Sequence, residues 1–245
     1  MGAGTIHWHQ TRNARRCAIL RLLLGQDSPQ GFFVLLIALL VALLVGLVFH
    51  ELCHALVADA LGDDTPRNAG RISLNPLHHL DPLGTMMMVL VGFGWAKPVP
   101  VNGYRLRNGP IIGMATVAAA GPVSNFVMAA LFALPVRFGL LDARFPSTFD
   151  QFTLSNYLAL IFIYVVLINV LLGVFNLIPL APLDGSRVAQ ALLPGELGRF
   201  FRSIEPYGMG ILFLLITISW LTNGQIDVLG AIINPVRDAV VDFLL

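Results

Sequence analysis

GFFVLLIALLVALLVGLVFHELCHALVADAL, residues 31–61, is the stretch whose reading decides the fold. Nineteen uncharged residues, Gly31–Phe49, run directly into His50-Glu51-Leu52-Cys53-His54, and apolar character resumes through Leu61. A helix crossing a bilayer needs about 20 apolar residues. Read as one helix, Gly31–Leu61 is about 46 Å long, enough to span with its last turns projecting toward one interface. Charged and ionisable side chains are costly in hydrocarbon and mark function where they occur there. The run therefore places chemistry inside a membrane helix.

Histidines four apart on a helix lie about 40° apart around the axis and about 6 Å apart along it. Both imidazoles can reach one metal ion, and Glu51 between them can reach a water on that metal. This is the His-Glu-x-x-His pattern of zinc hydrolases, in an unusual setting. Composition agrees with that setting. The chain of 245 residues is 56% hydrophobic and 12% charged, against about 45–50% apolar and about 25% charged in ordinary globular chains. A net charge of +1 with no basic stripe gives no sign of a nucleic-acid partner. Two cysteines, Cys17 and Cys53, make no disulfide framework. Cys53 reads as a small apolar filler of the metal motif.

Uncharged stretches mark the other spans. Asn108–Val136 is a second, Gln151–Leu183 a third whose last part Pro179 and Pro182 break, and Pro206–Ile226 a fourth. Pro82–Ala96 is short for a crossing and reads as a re-entrant or interfacial segment. Val228–Leu245, interrupted by Arg237, Asp238 and Asp242, reads equally as a short terminal span or an interfacial helix. The expected fold is an all-α polytopic membrane protein of about 4–6 transmembrane helices, with a small extended or hairpin segment between the first two long spans. Residues 1–30, with Arg12, Arg15, Arg16 and Arg21, read as a basic segment on the membrane surface rather than a cleaved signal peptide. Residues 31–245 read as one domain with its core in 31–187.

Between the first two long spans, Gly62–Arg107 is rich in turn formers. Arg71-Ile72-Ser73-Leu74-Asn75-Pro76-Leu77-His78-His79-Leu80-Asp81-Pro82 argues for turns rather than a continuous helix. Trp95-Ala96-Lys97-Pro98-Val99-Pro100-Val101-Asn102 reads as extended chain, because a residue before proline is pushed out of the helical region. Such an edge beside a site could accept a substrate strand, or be no more than a loop on the membrane face.

A catalytic zinc needs three protein ligands and an open position for water. His50 and His54 supply two. His78, His79 and Asp81 stand in a turn-rich loop. Asp184 ends the long uncharged run, in Asn176-Leu177-Ile178-Pro179-Leu180-Ala181-Pro182-Leu183-Asp184-Gly185. The prolines break the helix and Gly185 allows a sharp turn, which would hold an aspartate at the end of a broken helix near membrane depth. Irregular backbone at that depth is tolerated when buried in protein or facing water. Asp184 is the better third ligand.

With these residues the chain resembles the site-2 proteases, zinc intramembrane proteases of the compact prokaryotic type without PDZ or CBS domains. Asn176, Pro179, Leu183, Asp184 and Gly185 occupy the positions of the family's Asn-x-x-Pro-x-x-x-Leu-Asp-Gly signature. Gly121-Pro122-Val123-Ser124-Asn125 resembles its Gly-Pro-x-x-Asn. Three signatures in order cover most of Gly31–Arg187. Many relatives carry a second proline where Ala181 stands, and a span ahead of the motif helix where this chain has its arginine-rich segment. The resemblance implies a motif helix running toward the cytosolic face of a prokaryotic plasma membrane. Arg67, Arg71, Lys97, Arg105 and Arg107 agree with that under the positive-inside rule, and the four N-terminal arginines oppose it.

The implied reaction is hydrolysis of peptide bonds in or near transmembrane segments of membrane-protein substrates, in regulated intramembrane proteolysis. One Zn2+ would be held by His50, His54 and Asp184, with Glu51 as general base and acid. Asn125 and Asn176 are candidates for binding substrate or a tetrahedral oxyanion. Equally, Asn125, Asn169 and Asn176 could be interhelical polar contacts. Two other classes stay in view: a catalytically silent metal-binding membrane regulator, and an ion-coupled transporter, although no paired repeat is visible.

Overall fold

The computed structural model describes residues 29–84, 86, 96–146, 148–193 and 195–245. The basic segment read over 1–30 lies outside the described residues except for 29 and 30, and so does most of the segment read over 82–96. Among the described residues, seven helices of eight residues or more carry the architecture. They are α1 (Pro29–Ala60), α2 (Pro110–Arg137), α3 (Leu154–Asn176), α4 (Asp184–Leu192), α5 (Gly195–Ile204), α6 (Gly208–Leu221) and α7 (Val228–Leu244). Among the described residues, four stretches are long and apolar enough to cross a membrane: Gly31–Ala60, Pro110–Arg137, Leu154–Asn176 and Gly195–Leu221. The protein is an all-α polytopic membrane protein.

Boundaries follow local chemistry. Pro110 opens α2 after Gly109, whose φ of 78° favours glycine. Thr153 and Asn156 form a reciprocal capping box at the start of α3. At its other end α3 stops at Asn176, earlier than the uncharged run suggested, and residues 177–183 form a non-helical break. The fourth stretch begins at Gly195 rather than Pro206 because α5, the turn Glu205–Tyr207 and α6 follow one another without a gap. Helix α7 has 17 residues. Its Leu229 and Ile233 are buried against the core, and Arg137 at the end of α2 donates to the carbonyl of Phe243.

α1, α2 and α3 pack on one another along stripes with a four-residue step. In α1 the stripe is Ala38, Ala42, Gly46, His50, His54 and Ala58; in α2 it is Gly113, Val117, Gly121, Asn125, Ala129 and Ala133. In α3, Val165, Asn169 and Gly173 are buried in the same rhythm. Small residues on such ridges let membrane helices approach closely. Three apolar clusters surround the middle of these stripes. One joins Leu35, Ala38 and Ala42 to Leu160 and Val165. A larger one joins Ala129, Ala133, Val166 and Val170 to the break, α6 and α7. A small one joins Ala58, Val117 and Leu106. Outward-facing residues such as Phe33, Ile37, Leu131 and Leu214 remain exposed, as lipid contact requires.

The segment between α1 and α2 is held by side chains bonding to backbone. Fully buried Asp63 accepts from the Thr65 amide at 3.1 Å, the Thr65 hydroxyl at 2.5 Å and the Asn102 amide at 2.6 Å. Burial alone would push its carboxyl up. The hydrogen bonds from Thr65 and Asn102, with Arg105 nearby, outweigh that and hold it below the ordinary 3.8. Buried Arg71 donates to the carbonyls of His78 at 2.6 Å and Lys97 at 3.1 Å. Asn75 caps the turn Pro76–His78, as its Asn-Pro pair suggests. Among the described residues the extended segment amounts to one antiparallel bridge, Leu80 with Ala96, and no strand. Pro98 and Pro100 remove the donors a ladder would need.

Candidate metal centre

α1 carries His50 and His54 on its buried stripe, one turn apart, with ring centroids 4.6 Å apart and planes 89° to each other. The break after α3 brings Asp184 to them. Its Oδ2 lies 3.1 Å from His50 Nε2 and 3.3 Å from His54 Nε2. Among the described residues these three form the group whose ligand atoms all lie within 4.8 Å of one another. Asp184 is the first residue of α4, not the last of α3 as the sequence suggested, so the prolines end one helix and a new one begins on the aspartate. Gly185 is not among the residues at positive φ. It is required by proximity, since a Cβ there would stand 2.3 Å from the Leu177 carbonyl oxygen.

Gly121 closes the site from the side of α2. A Cβ at that position would lie 2.5 Å from His54 Cε1 and Nε2 and 2.6 Å from His50 Cε1. Only glycine lets the backbone of α2 press directly on both rings. The next turns of α2 then reach the other ring nitrogens. His54 Nδ1 is 2.7 Å from the Val117 carbonyl oxygen, and His50 Nδ1 is 2.7 Å from Asn125 Oδ1.

The protonation pattern follows from the acceptors. The Val117 carbonyl can only accept, so His54 donates from Nδ1. Asn125 Nδ2 donates to the Gly46 carbonyl at 3.1 Å and to Asn169 Oδ1 at 2.9 Å. Its Oδ1 is left to accept from His50 Nδ1. In neutral imidazoles both Nε2 lone pairs then face Asp184 Oδ2, which is buried without a hydrogen-bond partner. Three lone pairs converging on a few ångströms repel unless a cation sits among them. His and carboxylate ligands with a fixed second ring nitrogen suit a zinc ion, so the residues present fit a metal.

A cavity of about 580 Å³ opens onto this group. Its wall includes His50, Glu51, His54 and Asp184, with Asn176 and Arg187 as further polar residues and mostly apolar side chains elsewhere. Glu51 lies half-buried between the two ligand-bearing turns. Asn176 donates from Nδ2 to the Leu172 carbonyl at 3.0 Å and still lines the cavity. Asn125 does not line it. It has no exposed surface, and its amide bonds His50, the Gly46 carbonyl and Asn169, which is an interhelical contact. His78, His79 and Asp81 stand outside the metal group. His78 Nδ1 bonds the Gly70 carbonyl, His79 Nε2 the Ser73 carbonyl, and Asp81 accepts from the Gly84 amide.

Arg187 on the cavity wall had no sequence signal beyond its place one turn after Asp184. The carbonyls of Gly46 and Val117 had none at all, because every residue carries one.

The profile of Peptidase family M50 matches residues 144–218. The chain is also 39% identical over 196 residues to the protein named "Putative zinc metalloprotease YwhC" from Bacillus subtilis (strain 168), an alignment covering 78% of this chain and 83% of that protein. No solved structure matches the chain.

Proposed function

The chain belongs to peptidase family M50, and from that premise we propose that it is a zinc-dependent intramembrane endopeptidase. It hydrolyses peptide bonds in or near transmembrane segments of membrane-protein substrates, within a single domain over residues 31–245. The family implies a metal cofactor, and the His50, His54 and Asp184 group could hold one. We assign it one zinc ion in the cell membrane. Regulated intramembrane proteolysis is the process such cleavage serves.

The observation that carries this reading is the convergence of two Nε2 lone pairs and a buried carboxylate oxygen on a cavity wall that also holds Glu51. A zinc ion held there supplies Lewis acidity, lowering the pKa of a water toward about 7 and polarising a carbonyl. Glu51 takes a proton from the attacking water as the oxygen bonds to the scissile carbon. It returns that proton to the amide nitrogen as the carbon–nitrogen bond breaks. His50 and His54 are kept from this proton traffic by their Nδ1–H bonds to Asn125 and Val117. Asn176 and Arg187 are the remaining polar residues on the cavity wall, and they are suited to hold the substrate backbone or its developing negative oxygen.

A helical substrate must unwind first, because its scissile carbonyl is bonded within the helix. The cavity, mostly apolar with a few polar residues in its lining, suits an apolar segment with one short stretch extended. The test is cleavage of a transmembrane substrate in proteoliposomes by wild type and Glu51→Gln, with zinc content measured on both. The expected result is equal zinc and a loss of about 10²–10⁴-fold in rate for the variant. Retained cleavage in Glu51→Gln overturns the general-base role. Zinc in both proteins with cleavage by neither favours the silent metal binder.

A further inference from the structure

Resting on that zinc reading, we propose that Asn169 is a positioning residue for the metal centre, acting through Asn125 on His50. Asn169 lies on α3, has no exposed surface, and belongs neither to the metal group nor to the cavity lining. Its Nδ2 donates to the Val165 carbonyl at 2.9 Å, one turn back in its own helix. A carbonyl only accepts, so this bond fixes which end of the Asn169 amide is nitrogen and turns Oδ1 toward α2. Asn125 Nδ2 meets that oxygen at 2.9 Å and the Gly46 carbonyl at 3.1 Å. Both contacts demand nitrogen, so Asn125 must present oxygen to His50 Nδ1 at 2.7 Å.

The chain Val165 carbonyl, Asn169, Asn125, His50 therefore has one consistent direction, set by backbone acceptors at Asn169 and at Asn125. A flipped Asn125 amide would set oxygen against two acceptors and nitrogen against His50 Nδ1. His50 would then carry its proton on Nε2, the atom that faces Asp184. The relay thus selects the ligand-competent tautomer before a metal arrives. It also ties all three stripe helices to one imidazole, since His50, Asn125 and Asn169 stand on α1, α2 and α3. Outer groups that orient a metal-bound histidine typically change metal affinity by about 10–100-fold when removed. Asn169 acts one step further out and shares its task with the Gly46 carbonyl, so a smaller effect, about 3–10-fold, is expected from it alone.

The experiment compares Asn169→Val with Asn169→Thr in the full-length protein in detergent micelles. The two replacements are nearly isosteric. Threonine keeps a hydroxyl that can donate to the Val165 carbonyl at i−4 while accepting from Asn125; valine offers neither. Zinc dissociation constants are read by competition with a chromogenic chelator, alongside the thermal midpoint of the metal-free protein.

The relay predicts weaker zinc binding in Asn169→Val by about 3–10-fold, with affinity largely restored in Asn169→Thr. It also predicts that Asn125→Ala combined with Asn169→Val is no worse than Asn125→Ala alone. Unchanged zinc affinity in Asn169→Val, or equal loss in both isosteres, overturns it and leaves a packing role. Additive losses in the double variant overturn it too. A wild-type protein that takes up no zinc overturns the zinc reading and the relay together, whereas zinc uptake indifferent to Asn169 overturns the relay alone. If Asn169→Val fails to fold, the Asn169→Thr protein with near-native affinity against a weakened Asn169→Ala supports the relay, and equal affinities overturn it.

Discussion

Between Leu35 and Ala42, α1 meets α3 through Leu160 and Val165. Between Gly46 and His54 the same helix meets α2 through imidazoles, an amide and backbone carbonyls, and α3 joins through Asn169 on Asn125. Both regions lie on one continuous stripe with the same four-residue step. In the first, lipid would contact leucine about as well as protein does, so stability comes from close packing. In the second, each polar atom left without its partner in an apolar surrounding costs about 1–3 kcal/mol or more. The apolar region should therefore tolerate change in proportion to volume, and the polar region should respond to the loss of any one member.

The sharpest way to break that comparison is to remove a ligand. His54→Ala and Asp184→Ala are each expected to lose bound zinc and reduce cleavage to background, and a chelator should do the same reversibly to wild type. Metal content by atomic absorption and proteoliposome cleavage check this. Full activity after exhaustive chelation would remove the reason for the polar region's existence.

Next in size is Leu160→Ala in the apolar region, where the side chain is almost wholly buried. A large-to-small change in a packed core costs about 2–5 kcal/mol. Unfolding in mixed micelles should show that loss, while zinc affinity stays within about twofold because no polar partner moves. A matching fall in affinity would mean that the two regions are one cooperative unit.

Gly121→Ala tests the opposite expectation. Its Cβ would stand 2.5 Å from the His54 ring, so the imidazoles must shift, and zinc affinity should fall by about 10–100-fold. Gly173→Ala is its control on the facing helix. There the nearest atoms to a Cβ are those of the Phe126 ring at 3.0–3.2 Å, not those of an imidazole, and stability more than affinity should change.

The smallest effect is expected outside the bilayer. Asp63→Asn should cost about 1 kcal/mol at neutral pH, measured by thermal unfolding. The sign is fixed by the depressed carboxyl. Its contribution is present above the unfolded value of 3.8 and is lost as pH falls through the lower folded value. Wild type should lose its advantage over Asp63→Asn on acidification below about pH 4.

Much of the site was legible in the chain because helical spacing is a fixed geometric rule. His50 and His54 had to share a face, and an aspartate closing a long apolar run after two prolines was the better candidate to join them. The direction of the Asn125 amide was not legible. Asparagine in a span reads the same whether it meets substrate or another helix, and the choice depends on which carbonyls surround it. Gly185 was read for turning and is needed instead for proximity, since the sequence shows that a side chain is missing but not what would have struck it. Asp184 was expected at the end of α3 and begins α4, because proline marks a break without saying which side owns the next residue.

By itself, the sequence determined that this protein is a bundle of apolar helices carrying a two-histidine motif inside one of them. Hydropathy and helical period are local properties, read a few residues at a time. Only the tertiary structure decided that Asp184 Oδ2 meets both Nε2 atoms, that Gly121 admits the backbone of α2 to the rings, and that Asn125 and Asn169 point their amides toward His50. These are contacts between residues 44 to 134 positions apart, set by how four helices interlock rather than by what any one of them contains.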